Sequence, residues 1–495
     1  MKLVSTRNSA KQISACEAIA YGLAGDGGLF APYALPKFTA QDLASLEHKS
    51  FSSLVSFITA PFLPDFSHEE LDAFTKLAYK NFPKCAAPVV SLNDTTHILE
   101  LWHGPTLAFK DFALKLLPHL LSASLKKLDI DKTAVILAAT SGDTGSAALE
   151  GFTDVPGAKI CVFYPDGGVS AIQKLQMTTM VGENTKVVGI KGNFDNAQSG
   201  VKKILGDAAS SKKLEDSNYL FSSANSINWG RIVPQIAYYF SAYSSLLSAG
   251  KLKPGNSMNV VVPTGNFGNI LAAFYAKKSG LPINKLICAS NANNVLSDFI
   301  NTGIYNKNRD FYATISPSMD ILISSNLERF LFEVLDHSCD AVSDLMNSLA
   351  AKGRYEVKDK TLKTIQEVLY AGCASELNTE STINNIWNKY SYLSDPHTAV
   401  GLKVYEDYIR DSSDTTPTVI ASTASPFKFA DSTLKALGEA DISAADDFEN
   451  LRRLSKISGM EIPAKLLSLS EKEERHKTIC NPYDMKAQIF DWLEI

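Results

Sequence analysis

One lysine stands in surroundings that could change its chemistry. In Glu100-Leu101-Trp102-His103-Gly104-Pro105-Thr106-Leu107-Ala108-Phe109-Lys110-Asp111-Phe112, Lys110 lies between two phenylalanines. A Gly-Pro turn precedes it, and a segment that reads as a helix, Ala113 to Leu121, follows. An ammonium pressed against apolar rings loses hydration, so its pKa falls and the neutral amine becomes available as nucleophile or base. The competing reading is ordinary: a lysine can lay its stem along apolar surface and keep its head in water.

Further stretches carry the donors that anions need. Gly265-Asn266-Phe267-Gly268-Asn269 joins small residues, which let the backbone approach an anion, to a helix start with free N–H groups and a positive dipole end. It suits a phosphate, although a plain glycine turn has the same composition. It is neither Gly-x-Gly-x-x-Gly nor a P-loop, so a dinucleotide or ATP reading is weak. Thr140-Ser141-Gly142-Asp143-Thr144-Gly145 offers hydroxyls and helix-start amides to a second anion, or simply caps a helix. Asn225-Ser226-Ile227-Asn228-Trp229-Gly230-Arg231 adds a guanidinium, whose planar fork suits bidentate phosphate recognition and equally a surface ion pair. Ser422-Thr423-Ala424-Ser425-Pro426-Phe427-Lys428 reads by itself as a strand-ending turn. His397, in Asp395-Pro396-His397-Thr398-Ala399, reads as a packed or hydrogen-bonded histidine before it reads as an acid or base.

The elements between these stretches predict how they are brought together. From Val89 the pattern is strand, loop, helix, repeated, with apolar runs at Thr133–Ala138, Lys159–Tyr164, Thr185–Ile190, Tyr219–Ser223, Met258–Val262 and Thr418–Ala421. Gly192-Asn193-Phe194-Asp195 leads into one of the helices, and others are expected at Ile270–Lys278 and Lys428–Leu437. Such alternation implies an α/β fold with parallel sheets, in which ligands bind beyond the carboxyl ends of the strands. The polar loops should therefore share one cleft. Residues 1–95 read as a mainly helical unit, with the cap-like Ser67 before Glu69–Tyr79. Between about residues 295 and 392 a helix-rich insertion is expected outside the sheet, with helices at Asn326–Asp336, Ala341–Lys352 and Asp359–Ala371 and an exposed loop at Asn378–Thr382. The polar stretch from Asp441 to Ala487 is expected to cover the surface.

Composition removes several function classes. With 45% hydrophobic and 20% charged residues, the 495-residue chain is ordinary globular protein, long enough for two or three domains, and its net charge of -5 gives no reason to expect nucleic acid as a partner. Seven scattered cysteines without a Cys-x-x-Cys pair, and eight histidines without a His-x-x-x-His pair, predict neither a disulfide framework nor a metal site. No apolar run reaches the ~20 residues of a membrane span and the start lacks a signal-peptide core, so no membrane association and a cytoplasmic location are expected. No long segment precedes Ser5, so activation through an extra effector domain there is not expected. A monomer is the expected state, with a homodimer as the alternative.

His103-Gly104-Pro105-Thr106-Leu107-Ala108-Phe109-Lys110-Asp111-Phe112 resembles the lysine motif of threonine synthases, pyridoxal 5'-phosphate enzymes of the tryptophan-synthase-β-like fold (fold type II). The likeness extends in order from Gly27-Gly28-Leu29-Phe30 through the polar loops and Ser318-Met319-Asp320 to Thr423. It implies two doubly wound domains, a small amino-terminal domain at residues 1–95, and a catalytic region at 96–495 that contains the insertion. By resemblance, Lys110 would hold pyridoxal 5'-phosphate covalently and move protons. Gly265, Asn266, Phe267, Gly268 and Asn269 would grip the cofactor phosphate, and Thr423 would face the pyridine nitrogen. Thr140, Ser141, Asp143 and Thr144 would bind the substrate carboxylate, and Asn225, Ser226, Asn228 and Arg231 the substrate phosphate. The implied reaction converts O-phospho-L-homoserine and water to L-threonine and phosphate, the last step of threonine biosynthesis. Two rivals are another enzyme of the same cofactor fold, such as a serine or threonine dehydratase, and a silent binder of phosphorylated metabolites.

Overall fold

The computed structural model describes residues 1–440, 442 and 447–495. Two parallel sheets carry the strand–loop–helix repeats. The six-stranded sheet runs Leu369–Cys373, Ile283–Ser290, Met258–Pro263, Thr418–Ser422, Thr96–Glu100, Val89–Ser91, and only its last pair is antiparallel. The five-stranded sheet runs Ile479–Cys480, Thr185–Ile190, Ala158–Pro165, Thr133–Ala139, Tyr219–Ser222, all parallel. Strands such as Met258–Pro263 are buried along their whole length, which is why they read as continuous apolar runs rather than alternating ones. Among the described residues no helix is long and apolar enough to cross a membrane, and all seven cysteines are free.

The first 95 residues are not only helical. A three-stranded antiparallel sheet, Asn8–Ile13, Leu3–Ser5, Phe30–Pro32, stands beside the helices Ala15–Tyr21, Ala40–Ala44, Phe51–Thr59 and His68–Tyr79. Two of these strands have three residues, too few to show a period, and the third is exposed at five of its six positions. The helix starts were legible: Ser67 accepts from Glu70 N while Glu70 accepts from Ser67 N, a reciprocal cap.

The helix expected at Ala113–Leu121 is two helices, Lys110–Leu114 and Leu117–Lys127. Pro118 accounts for the break, since a residue without an N–H sits most easily in a first turn, where Pro118 stands. The first of these helices lies hard against Asp143–Phe152: a Cβ on Gly151 would sit 2.1 Å from the Leu114 carbonyl oxygen. That close approach brings Lys110 beside Asp143.

The insertion is not wholly outside the sheet. The helix from Asp359 ends at Val368, and Leu369–Cys373 becomes an edge strand parallel to Ile283–Ser290. Asn378–Thr382 is no loop but part of the helix Glu376–Tyr390, capped by Ser375 and packed through Thr379, Thr382 and Ile383. Burial of that face overrides the low helix propensity of Asn and Thr. At the carboxyl end, the expected helix from Lys428 is a 3₁₀ turn, Pro426–Phe429, followed by Ala430–Ala436. Of the stretch expected to cover the surface, Asp441 and residues 443–446 lie outside the described residues. The rest does more than cover: Leu451, Leu454, Leu466 and Leu469 pack with Leu107 and Phe427, and Cys480 and Met485 join Val188 and Ile190 in a core.

Candidate active site

The loops that follow the strands Thr133–Ala139, Tyr219–Ser222, Met258–Pro263 and Thr418–Ser422, and the helix that follows Thr185–Ile190, all reach one cavity of about 210 Å³. It is lined by Lys110, Thr140, Ser141, Thr144, Asn225, Ser226, Arg231, Gly265, Asn266, Phe267, Gly268, Asn269, His397 and Thr423. These include all but two of the residues singled out in the sequence.

The two exceptions have identifiable causes. Asn228 is buried, donates to the Ile19 and Ser223 carbonyls, and accepts from Gly230 N as the cap of the helix Trp229–Ser248. Its polar atoms are fully engaged in holding the loop, away from the cavity. Asp143 turns inward: its carboxylate lies 2.6 Å from Lys428 Nζ and 3.8 Å from Lys110 Nζ, and accepts from Gln173 Nε2 and Ser318 Oγ. Its side chain is thus engaged by protein partners rather than turned into the cavity.

Lys110 is the amine at the centre. Its Nζ donates to Ser318 Oγ at 3.3 Å and lies 5.3 Å from the centre of the Phe109 ring. Burial lowers its pKa to about 8; Asp143 opposes the fall, and Lys428 and Arg231 reinforce it. For Asp143 burial alone would raise the pKa, but the ammoniums of Lys428 and Lys110 outweigh it and hold the carboxyl well below the usual range. Asp111 is pushed up to about 6 by burial, although Thr106 N and Thr106 Oγ1 both donate to it.

The starts of two helices, Trp229–Ser248 and Gly268–Lys278, lie close together, and Arg231 and Asn269 from them line the cavity. Asn269 Oδ1 accepts from the hydroxyls of Tyr238 and Tyr239, which leaves Nδ2 with no protein partner among the described residues. Arg231, 2% exposed, donates through Nη1 to the Ala224 carbonyl, and its Nε has no partner either. Phe267 precedes the helix with φ 62°, a left-handed conformation that costs a bulky residue roughly 1–3 kcal/mol and that clusters at ligand sites. A Cβ on Gly265 would lie 2.9 Å from the Ser318 carbonyl oxygen, so only glycine lets that loop pass. The arrangement is a buried, donor-rich socket for an anion.

His397 has both ring nitrogens engaged. Nδ1 is 2.8 Å from Asp395 Oδ1, and Nε2 accepts from Ser318 N at 3.1 Å, which places the proton on Nδ1. It fixes Ser318 rather than offering a free acid or base.

Sequence reasoning missed several lining residues. Phe194, Gln198 and Lys202 reach the cavity from one helix, Phe194–Leu205. Their spacing of four puts them on one helical face, and that signal was available once the helix was placed after its strand. Ser318 stood out only through resemblance, and the deep burial of Lys428 left no mark in local sequence.

Three family descriptions match the chain in order: "Threonine synthase N terminus" over residues 2–79, "Pyridoxal-phosphate dependent enzyme" over 85–366, and "Threonine synthase, C-terminal" over 398–489. The threonine synthase of Pseudomonas aeruginosa is 36% identical over 99% of this chain and 98% of its own length. Human threonine synthase-like 1 is 40% identical over 86% of this chain, which spans 58% of that protein's length. Among solved structures, the PLP-bound threonine synthase of Brucella melitensis has a TM-score of 0.88 at 36% identity, with 100% of both chains covered. The yeast threonine synthase has a TM-score of 0.88 at 34% identity, covering 100% of this chain and 99% of that one.

Proposed function

The chain belongs to the threonine synthase family, and from that premise we propose that it converts O-phospho-L-homoserine and water to L-threonine and inorganic phosphate with pyridoxal 5'-phosphate held by Lys110. The residues present fit that cofactor: a buried lysine whose amine is partly neutral near pH 8 lies in the same small cavity as the 265–269 loop, whose helix start and spare Asn269 Nδ2 donor suit a phosphate. When bound, pyridoxal phosphate supplies an electron sink for negative charge at carbon.

The chain's own residues supply the rest. The 265–269 loop and the helix start at Gly268 would hold the cofactor phosphate, with Asn269 Nδ2 as a spare donor. Thr140, Ser141 and Thr144 would orient the substrate carboxylate, and Asn225, Ser226 and Arg231 its phosphate, so that only the Cβ and Cγ side of the substrate is presented. Lys110 would move protons at Cα and Cβ, aided by a pKa near the operating pH. Thr423 would meet the ring nitrogen with a neutral hydroxyl. Asp143 and Asn228 act in this reading through the loops they hold. In this reading residues 1–95 are the amino-terminal unit, whose last strand, Val89–Ser91, joins the edge of the catalytic sheet, and 96–495 are the catalytic one.

The observation that carries the reading is the desolvated Lys110 sharing one cavity with an unneutralised, buried Arg231. The test is direct. Purified protein with pyridoxal phosphate should show a visible band that borohydride fixes onto the Lys110 peptide, and should release threonine and phosphate in equal amounts from O-phospho-L-homoserine. A band without threonine would leave a relative of other specificity. We also place the chain in the cytoplasm and read it as a monomer, since large exposed hydrophobics such as Leu377 and Tyr483 lie on separate elements. Cell fractionation and light scattering check these two points.

A further inference from the structure

A second lysine stands behind the site, outside the cavity lining. Lys428, on the 3₁₀ turn Pro426–Phe429, has a fully buried side chain. Its Nζ lies 2.6 Å from Asp143 Oδ1 and donates to the Thr106 carbonyl at 2.9 Å. Asp143 Oδ2 lies 3.8 Å from Lys110 Nζ. One buried carboxylate therefore sits between two ammoniums, the farther of which is the reactive amine.

The charge count gives Lys428 its role. A lone buried carboxylate beside Lys110 would hold that lysine as an ammonium, because an opposite charge within about 4–6 Å favours the charged form. Here the carboxylate is already matched by a nearer cation, and Lys110 is the surplus charge of a buried cluster. The other groups facing Lys110 do not reverse this. Arg231, on the helix Trp229–Ser248, adds positive charge; Asp111, pushed up to about 6 by burial, is still a carboxylate where Lys110 titrates and offsets that charge, so three cations face two carboxylates; and His397 accepts from Ser318 N through Nε2. Ser318 Oγ accepts from Lys110 and donates to Asp143, so the amine is held in place by a neutral partner.

We propose that Lys428 is a positioning residue which, by neutralising Asp143, leaves Lys110 fixed in geometry yet free to lose its proton, and so sets the pH at which Lys110 becomes a nucleophile. The role rests on Lys110 being the reactive amine, and it accounts for a buried lysine that the proposed reaction does not otherwise use.

The test measures Lys110 itself. Full-length wild type, Lys428→Gln and Lys428→Arg are freed of bound carbonyl compounds with hydroxylamine, labelled with trace acetic anhydride from neutral to alkaline pH, and read by mass spectrometry of the Lys110 peptide. Wild type and Lys428→Arg should share a midpoint near 8. Lys428→Gln keeps a donor for Thr106 and Asp143 but no charge; its midpoint should rise by about one unit, cutting labelling at neutral pH about tenfold while leaving the alkaline plateau intact. An unchanged or lower midpoint in Lys428→Gln overturns the role. So does a wild-type midpoint in the ordinary lysine range, which decides the matter even if the variant does not fold. Adding pyridoxal phosphate to the wild type separates the two readings: a shifted midpoint without a visible band would retain the charge cluster and remove the cofactor.

Discussion

Arg231 is a buried cation with nothing to neutralise it, and that makes its replacement informative in a direction opposite to most core changes. Among the described residues no carboxylate pairs with it, one nitrogen donates to the Ala224 carbonyl, and Nε is unpartnered. Burial lowers its pKa from 12.5 to about 10. At about 1.4 kcal/mol per unit, keeping it charged costs the unliganded fold about 3 kcal/mol. Arg231→Met removes that cost and also loses a charge-assisted hydrogen bond of about 1.5 kcal/mol, so the unliganded variant should be more stable by about 1–2 kcal/mol. If the chain unfolds cooperatively, its unfolding entropy is about 1 kcal/mol per degree, and Tm should rise by about 1–2 °C. The sign with pH follows from a depressed cationic pKa. The penalty is fully present below about 10 and is relieved only as pH climbs from there toward 12.5, so the comparison at neutral pH does not depend on pH. Phosphate should act the other way on the two proteins. At about 100 times its Kd it would stabilise wild type by about 2.7 kcal/mol, and Arg231→Met should lose most of that gain. Thermal melts in chloride and in phosphate at matched ionic strength read both effects. A variant that melts below wild type in chloride, or that gains as much from phosphate, would refute the account of this socket.

Lys110→Ala should lose the borohydride-fixable band and reduce threonine formation by at least about 10³-fold, measured by amino-acid analysis of the product. Because burial depresses the Lys110 pKa to about 8, the rate at which wild type captures pyridoxal phosphate should rise with pH through that value and level off above it, as stopped-flow absorbance can follow. Lys202 is exposed at the cavity mouth, so Lys202→Ala should raise KM for the phosphorylated substrate about 3–10-fold with kcat changed less than about twofold, and added salt should shrink the difference. In the amino-terminal unit, Ser67→Ala should cost about 1 kcal/mol in denaturant unfolding through loss of the bond to Glu70 N, without altering the visible band.

What could be read from the sequence and what could not divide along one physical line. The strand Thr185–Ile190 has the bounds its apolar run predicts, and the polar loops after the strands do meet in one cavity, because a parallel sheet buried on both faces dictates local composition and puts its loops at one end. Leu369–Cys373 was hidden because an edge strand of five residues following a helix has no composition that separates it from that helix's last turn. Asp143 shows the deeper limit. Its place in Thr140–Gly145 at a helix start is correct and so is the nearness of Lys110, yet chain order cannot tell which way the carboxylate turns. That depends on Lys428, 285 positions further along the chain, and on a glycine at 151 that lets two helices close on each other. Residue types that could bind an anion were legible; the partner that engages the Asp143 carboxylate was not, since buried charges are paired by tertiary geometry alone. A carboxylate beside a reactive lysine is therefore assigned a role only when every cation that reaches it has been counted.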